Sequence, residues 1–417
     1  MGAARVTEAF VIVGAGQAGL QIAETLRHEK YAGPIIMFGA EAQPPYNRPP
    51  LSKKFLLDRP DPATLAIRGA EWLQRKDIDL RVQTQVVAID RERREVVLAD
   101  HQRVPYAGLA LTTGARLRVL PLEGAQLRGV LGLRSLEDAL QIGAALDHCV
   151  ASGLPLVVIG GGFIGLELAA TASKKGIAVT VLEGLGRLMS RVVAPIVSEA
   201  AATLHRAHGV RLLFDVKISA ITGHEGTVRA VQTADGQEFP AGCVIVGVGV
   251  HPDDALARAA GLDCERGIIV DECSRTSDPL IVAAGDCCAR RCADGSLLRL
   301  ESVQNAVEQG KAAAAALLGM SKPFTAAPWF WSDQYDLKLQ MVGLSAGYDE
   351  VVTRGDLAKP AFSAYYFKSG RLMAVDSLSR FGDHMSARKL LDRGVSPTAA
   401  QVADESFDLA GLLRAQI

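Results

Sequence analysis

Uninterrupted apolar runs, rather than alternating ones, set the pattern of the first three hundred residues. Ala9-Phe10-Val11-Ile12-Val13 and Leu156-Val157-Val158-Ile159 are apolar at every position, which predicts strands buried on both faces of a parallel sheet. Each run leads directly into a glycine-rich turn and then a helix-forming stretch, so strand, turn and helix occur twice in the same order. Apolar runs at 109–115, 178–183, 244–249 and 276–286 predict further strands, several with glycine at the tip, and the alanine-rich 301–318 predicts a helix. Beyond residue 327 come Trp329-Phe330-Trp331 and Phe362-Ser363-Ala364-Tyr365-Tyr366-Phe367, strand-like and aromatic, which predict a small α+β domain.

The two turns carry the candidate chemistry. They read Gly14-Ala15-Gly16-Gln17-Ala18-Gly19 and Gly160-Gly161-Gly162-Phe163-Ile164-Gly165. In such a fingerprint the first glycine permits the tight turn, the second lets a pyrophosphate approach the backbone, and the third lets helix and strand pack closely. The helix N-terminus then attracts the phosphate charge. Two copies predict two dinucleotides. Glu183 stands at the end of the strand after the second fingerprint, where a carboxylate can accept a hydrogen bond from a ribose 2′-hydroxyl and repel a 2′-phosphate, favouring NADH over NADPH. Either Arg187 or Arg191 can contact the pyrophosphate, but neither follows Glu183 directly. Gly247 and Gly249, at the tip of the 244–249 run, complete the candidate NAD site with Gly160, Gly162, Ile164 and Gly165.

Composition narrows the class. The chain has 417 residues, 49% of them hydrophobic, 41 glycines and a formal net charge of −1, as expected of an enzyme of two or three domains. Near-neutral charge supplies no general field for nucleic acid or an anionic membrane. A glycine turn beginning at Gly14 leaves no room for a secretory signal, and no apolar stretch approaches the length of a membrane span, so a cytoplasmic location is expected. Met1-Gly2 resembles the start of a myristoylation signal, but Val6 occupies the position that needs Ser or Thr. The seven cysteines are Cys149, Cys243, Cys264, Cys273, Cys287, Cys288 and Cys292, an odd number without zinc-site spacing, and no metal is expected.

The two fingerprints, Arg48-Pro49-Pro50-Leu51-Ser52-Lys53, the turn at Thr113-Gly114, the strand ending in Gly285-Asp286 and Trp329-Phe330-Trp331-Ser332-Asp333-Gln334 together resemble the FAD-dependent NADH:ferredoxin reductases, within the glutathione-reductase-like superfamily. The resemblance spans nearly the whole chain. It implies an α/β fold of two Rossmann-like dinucleotide-binding domains plus a small C-terminal α+β domain. The expected division is an FAD domain at 1–115 and 248–326, an NAD domain at 116–247 and a C-terminal domain at 327–417. It also implies hydride transfer from NADH to FAD and passage of single electrons to a [2Fe-2S] ferredoxin serving a cytochrome P450 or a Rieske oxygenase. Disulfide-reducing members of the superfamily carry a cysteine pair soon after the first fingerprint, whereas no cysteine precedes Cys149 here.

Carried over residue by residue, the resemblance puts Gly14, Gly16, Ala18, Gly19, Arg48, Val86, Thr113, Gly114, Arg134, Asp286 and Val303 against FAD. Relatives read Gly-Asp after the second strand, but this chain has Gly39-Ala40-Glu41, so the adenosine ribose contact lies at Ala40 or Glu41, with Glu41 the chosen substitute. Lys53 and Glu167 match positions close to the flavin and the nicotinamide, and as a buried pair they would compensate one another. Trp331 matches a tryptophan beside the isoalloxazine. Hydride transfer needs positioning more than acid or base, because the cofactors supply the chemistry. Lys338, Arg388, Lys389 and Arg393, with Arg290 and Arg291, offer positive charge for docking an acidic ferredoxin. Two other readings stay open: a reductase of rubredoxin, quinone or peroxide, and an NADH-sensing interaction protein. Oligomeric state is not legible.

Overall fold

The computed structural model describes residues 9–292 and 294–414, which divide into two compact units. One comprises the chain through Asn47, then Asp61–Arg116 and Val250–Ala326; the other comprises Arg48–Pro60, Leu117–Gly249 and the chain from Ala327 onward.

The first unit is built on a five-stranded parallel sheet in the order Ile281–Ala283, Gly108–Leu111, Phe10–Val13, Ile35–Phe38, Ile78–Arg81. Its central strand is buried at all positions, as continuous apolarity requires when both faces are covered. Alternate residues supply the two faces. Phe10, Ile12 and Ala110 pack against Leu20, Ala23 and Leu26 of the helix Gln17–His28 and against Ala313 of the helix Val303–Leu317. Val11, Val13 and Leu109 share a second core with Val86, Val96 and Val104 from an antiparallel sheet of Val86–Asp90, Glu95–Leu98 and Arg103–Pro105. The run 276–286 is extended only over Ile281–Ala283. Its first part turns, because Thr276 Oγ1 accepts from the N–H of Asp278 and Asp278 Oδ1 from that of Leu280.

The second unit repeats the plan. Its parallel sheet runs Arg211–Leu213, Val179–Leu182, Leu156–Ile159, Cys243–Val246, Val130–Leu131. The helix Phe163–Lys174 is buried from Gly165 to Ala172, so it is a core helix rather than an amphipathic surface one. From Trp329 the chain forms an antiparallel sheet, Trp329–Gln334, Leu337–Gly343, Arg371–Leu378, Ala361–Lys368, Glu350–Asp356. Strand alternation sorts the aromatic stretch. Phe330, Ser332 and Gln334 meet Phe163, Glu167 and His205, while Trp329 and Trp331 pack together on the other face, with ring centroids 5.5 Å apart. No described helix is long and apolar enough to cross a membrane.

Candidate active site

The first glycine turn has the backbone that its residue types predict. Gly14 lies at φ +114°, and a Cβ there would stand 2.2 Å from the carbonyl oxygen of Thr112. A Cβ on Gly19 would stand 2.1 Å from the oxygen of Gly14, so helix and strand touch backbone to backbone. Around Gly16, by contrast, a Cβ would meet nothing within 4 Å: the chain leaves open space at the position that such fingerprints use to admit a phosphate. No side chain caps the helix Gln17–His28 and no acid occupies its first turn, so its N-terminal field is available to an anion.

Thr113, Gly114, Asp286 and the segment through Ala40 and Glu41 follow the carboxyl ends of strands of the same sheet. The Thr112 hydroxyl donates to the carbonyl of Gly14 at 2.8 Å, and that of Thr113 to the carbonyl of Asp253 at 2.5 Å, pinning the Thr-Gly turn that ends at Gly114, φ +76°. Gly285, φ +86°, abuts Ala18, and its N–H donates to Gln309 Oε1 at 2.8 Å, which places the half-buried Asp286 at the strand tip. Val303 opens its helix behind Ser302, whose hydroxyl caps the N–H of Asn305. Gly39 comes against Ala15, so the segment through Ala40 and Glu41 begins at the glycine turn; Glu41 Oε2 accepts from the Tyr46 hydroxyl at 2.6 Å. Val86 is buried in the sheet core.

The second turn repeats the geometry. Gly160 lies at φ +105°, with the carbonyl oxygen of Gly247 2.6 Å from a would-be Cβ, and Gly165 closes on the oxygen of Gly160. The N-terminus at Gly162 has no side-chain cap. Gly249 lies at φ +95°, Ile164 is 44% exposed, and Arg191 is exposed. Glu183 stands at the tip of Val179–Leu182 and does more than the sequence suggests: Oε2 accepts from the N–H of Gly161 at 2.6 Å, and Oε1 from that of Leu185 at 2.8 Å. A carboxylate has about four acceptor positions, so capacity for a ribose hydroxyl remains. Arg187 is committed elsewhere, to the carbonyls of Ser190 and Val193 and the hydroxyl of Ser198.

The helix that starts at this turn also carries Glu167, 3% exposed, paired with Lys53 Nζ at 2.9 Å. Two hydroxyls complete the carboxylate's shell: Ser52 donates to Oε2 at 2.5 Å and Ser332 to Oε1 at 2.6 Å. Thr171, one turn further along the helix, donates to the carbonyl of Ser52 at 2.7 Å. The cation and the two hydroxyl donors compensate the carboxylate for its loss of water. Sequence reasoning missed both serines and Thr112, although strand alternation in Trp329–Gln334 separates Ser332 from Trp331 by face. Arg48 donates to the carbonyl of Arg134 at 2.6 Å, joining two of the residues assigned to FAD.

The basic group expected to dock a partner is less uniform than its charges suggest. Lys338 is paired with Asp333 at 2.9 Å, the Arg388 guanidinium lies 4.7 Å from the ring centre of Trp329, and Arg393 donates to the carbonyl of Leu413. Lys389 is exposed. In the first unit Arg290 is spent on the carbonyl of Phe324, and Arg291 is exposed. All seven cysteines are free thiols. Burial pushes the thiols of Cys243 and Cys264 up, to about 12 and about 11, and that of Cys288 well above its ordinary range.

Comparison with known proteins agrees with this geometry. Residues 8–310 match the family model "pyridine nucleotide-disulphide oxidoreductase", and residues 329–413 match "reductase C-terminal". The chain belongs to that oxidoreductase family. It is 43% identical to rhodocoxin reductase of Rhodococcus erythropolis over 96% of this chain and 93% of that one. Among solved structures, the ferredoxin reductase for the CYP199A2 system of Rhodopseudomonas palustris superposes with a TM-score of 0.93 at 43% identity, covering 97% of this chain and 99% of the other. The covalent putidaredoxin reductase–putidaredoxin complex gives 0.93 at 39% identity, covering 99% of each chain. The disulfide in the family's name has no counterpart in the residues that follow the first fingerprint, where there is no cysteine before Cys149.

Proposed function

We propose that this chain is an NADH-dependent, FAD-containing reductase that passes single electrons to a [2Fe-2S] ferredoxin of a cytochrome P450 or Rieske oxygenase system. The observation that carries it is the pair of uncapped glycine turns with Glu167, held by Lys53, Ser52 and Ser332, on the helix that leaves the second turn. FAD, when bound, accepts a hydride from NADH and gives up the two electrons one at a time.

The chain's own residues supply binding and placement. Gly14, Gly16 and Gly19 admit the FAD pyrophosphate, with Asp286 and Thr113 at neighbouring strand tips as hydrogen-bonding partners. Glu183 selects the unphosphorylated ribose of NADH and Arg191 meets its pyrophosphate. The Lys53–Glu167 pair would order the residues around the nicotinamide, and Trp331 would supply an aromatic contact to the flavin. The FAD domain accordingly corresponds to 1–115 and 248–326, and the NAD domain to 116–247. Seven unpaired thiols favour a reducing compartment and hence the cytoplasm.

The purified protein is expected to be yellow, with one FAD per chain, and to reduce cytochrome c with NADH only when a [2Fe-2S] ferredoxin is added. Colourless, folded protein that refuses FAD overturns the reading, and direct turnover of quinone or peroxide without an iron–sulfur protein replaces it with the alternative reductase.

A further inference from the structure

The loop between Glu183 and the helix Pro195–Ala207 is fastened from three directions. From beneath, the N–H of Met189, a residue at φ +49°, donates to the carbonyl of Gly161 at 3.0 Å, so the loop lies against the second glycine turn. From within, Arg187 bonds the carbonyls of Ser190 and Val193. From outside, two residues of the C-terminal sheet region hold it: the Ser345 hydroxyl donates to the carbonyl of Val192 at 2.8 Å, and the Tyr366 hydroxyl accepts from the N–H of Ala194 at 2.9 Å. Leu188, Met189, Val193 and Ala194 share one apolar core with Phe362, Tyr366 and Leu378.

Asp376 decides how the Tyr366 hydroxyl points. It is 2% exposed, and the hydroxyl donates to its Oδ2. With its proton committed there, the phenolic oxygen turns a lone pair to the N–H of Ala194, giving a directed chain from backbone through Tyr366 to Asp376. A buried carboxyl is an expensive residue to keep where apolar packing alone would hold the sheet to the loop.

We propose that Tyr366, oriented by Asp376, is a positioning residue for NADH binding: it fixes the loop that presents Arg191 beside the glycine turn. This rests on the assignment of that turn to NADH. Both are buried, Tyr366 at 0% and Asp376 at 2% exposure, so the role is one of positioning and not of contact. Loosening the contact therefore lets the loop sample other arrangements and weakens NADH binding, while the step that follows at saturation is spared.

The test is steady-state kinetics of the FAD-loaded enzyme with ferricyanide, an acceptor that needs no partner protein. Tyr366→Phe should raise KM for NADH about three- to tenfold, the range for one lost hydrogen bond that leaves a donor unpaired, with kcat and FAD content held. Ser345→Ala, which lies outside the buried core, should raise KM in the same direction by a smaller factor, and it decides the matter if Tyr366→Phe does not fold. Arg191→Ala and Glu183→Ala serve as controls. If the controls raise KM while Tyr366→Phe and Ser345→Ala lower only the melting temperature, the positioning role is overturned and the NADH site stands. If the controls too leave NADH kinetics untouched, the site assignment fails and this inference falls with it.

Discussion

Lys53 and Ser332 converge on a single oxygen, Oε1 of Glu167, at 2.9 and 2.6 Å. A residue from the stretch after the first glycine turn and one from the tryptophan strand are thus tied through the helix that begins at the second glycine turn. Glu167 is 3% exposed and Lys53 18%, so the pair is largely out of water and its members depend on one another.

Unequal effects are therefore expected from the two halves of the pair. Lys53→Met strands a buried carboxylate with hydroxyl donors only and should lower stability in urea by about 2–3 kcal/mol, whereas Glu167→Gln, which removes the buried charge and keeps an acceptor, should lower it by less. Both should slow anaerobic bleaching of the bound flavin by NADH at least about tenfold, equivalent to roughly 1.4 kcal/mol. Equal stability of Lys53→Met and of a variant at exposed Lys389 refutes the coupling.

Glu183 bonds two backbone N–H groups, which changes what its removal should do. Glu183→Ala takes away the proposed ribose acceptor, with the charge that would repel a 2′-phosphate, and the anchor of Gly161 and Leu185. Discrimination between NADH and NADPH should fall by about 1–3 kcal/mol, and affinity for both coenzymes should fall with it. Comparing kcat/KM for the two coenzymes in wild type and variant checks this. A wild type that already prefers NADPH refutes the assignment.

Much of this was legible because the features concerned are local. Strand, turn and helix around Gly14 and Gly160 follow from adjacent residues, and the positive φ of both glycines is a property of the turn itself. Glu183 was legible as a strand-end acid but not as a backbone anchor, since Gly161 and Leu185 approach it only once the loop is folded. Ser332 and Ser52 were hidden because a hydroxyl has no sequence pattern of its own; what selects them is the buried carboxylate between them. The strand expected over 276–286 failed in its first part because Thr276 and Asp278 offer their side chains to nearby N–H groups, a local competition that apolar counting overlooks. Charge counting likewise does not see that Lys338 has Asp333 as a partner.

Asp376 gives stability a pH signature. Burial, the dominant influence, raises its pKa from 3.8 to about 7, against the opposing effect of the Tyr366 hydroxyl. The folded state thus holds this proton more tightly than the unfolded one. The contribution is complete below pH 3.8 and is lost as pH rises through about 7. Asp376→Asn cannot titrate. Melting temperatures compared from acid to slightly alkaline pH should show wild type losing ground to Asp376→Asn as pH rises and the difference levelling off above the folded pKa. A difference that does not change with pH excludes titration of Asp376 in this range.

The docking charges give the last prediction, refined by their partners. A shuttle ferredoxin binds briefly, which suits steering by charge at a small interface. Lys338 is neutralised by Asp333, so Lys338→Ala should matter little to the partner's approach. Lys389 is exposed and Arg393 donates to a neutral carbonyl, that of Leu413, so among the described residues neither is paired with a carboxylate. Lys389→Glu with Arg393→Glu should slow ferredoxin reduction several-fold at low salt and leave NADH-to-ferricyanide turnover unchanged. Adding Arg388→Glu should slow it further, because the guanidinium that covers Trp329 is lost as well. The same slowing should appear in wild type as ionic strength rises past about 0.1 M, where charges more than about 10 Å apart are screened from one another. Ferredoxin reduction that is indifferent to both salt and these substitutions would place the docking surface elsewhere and make it apolar.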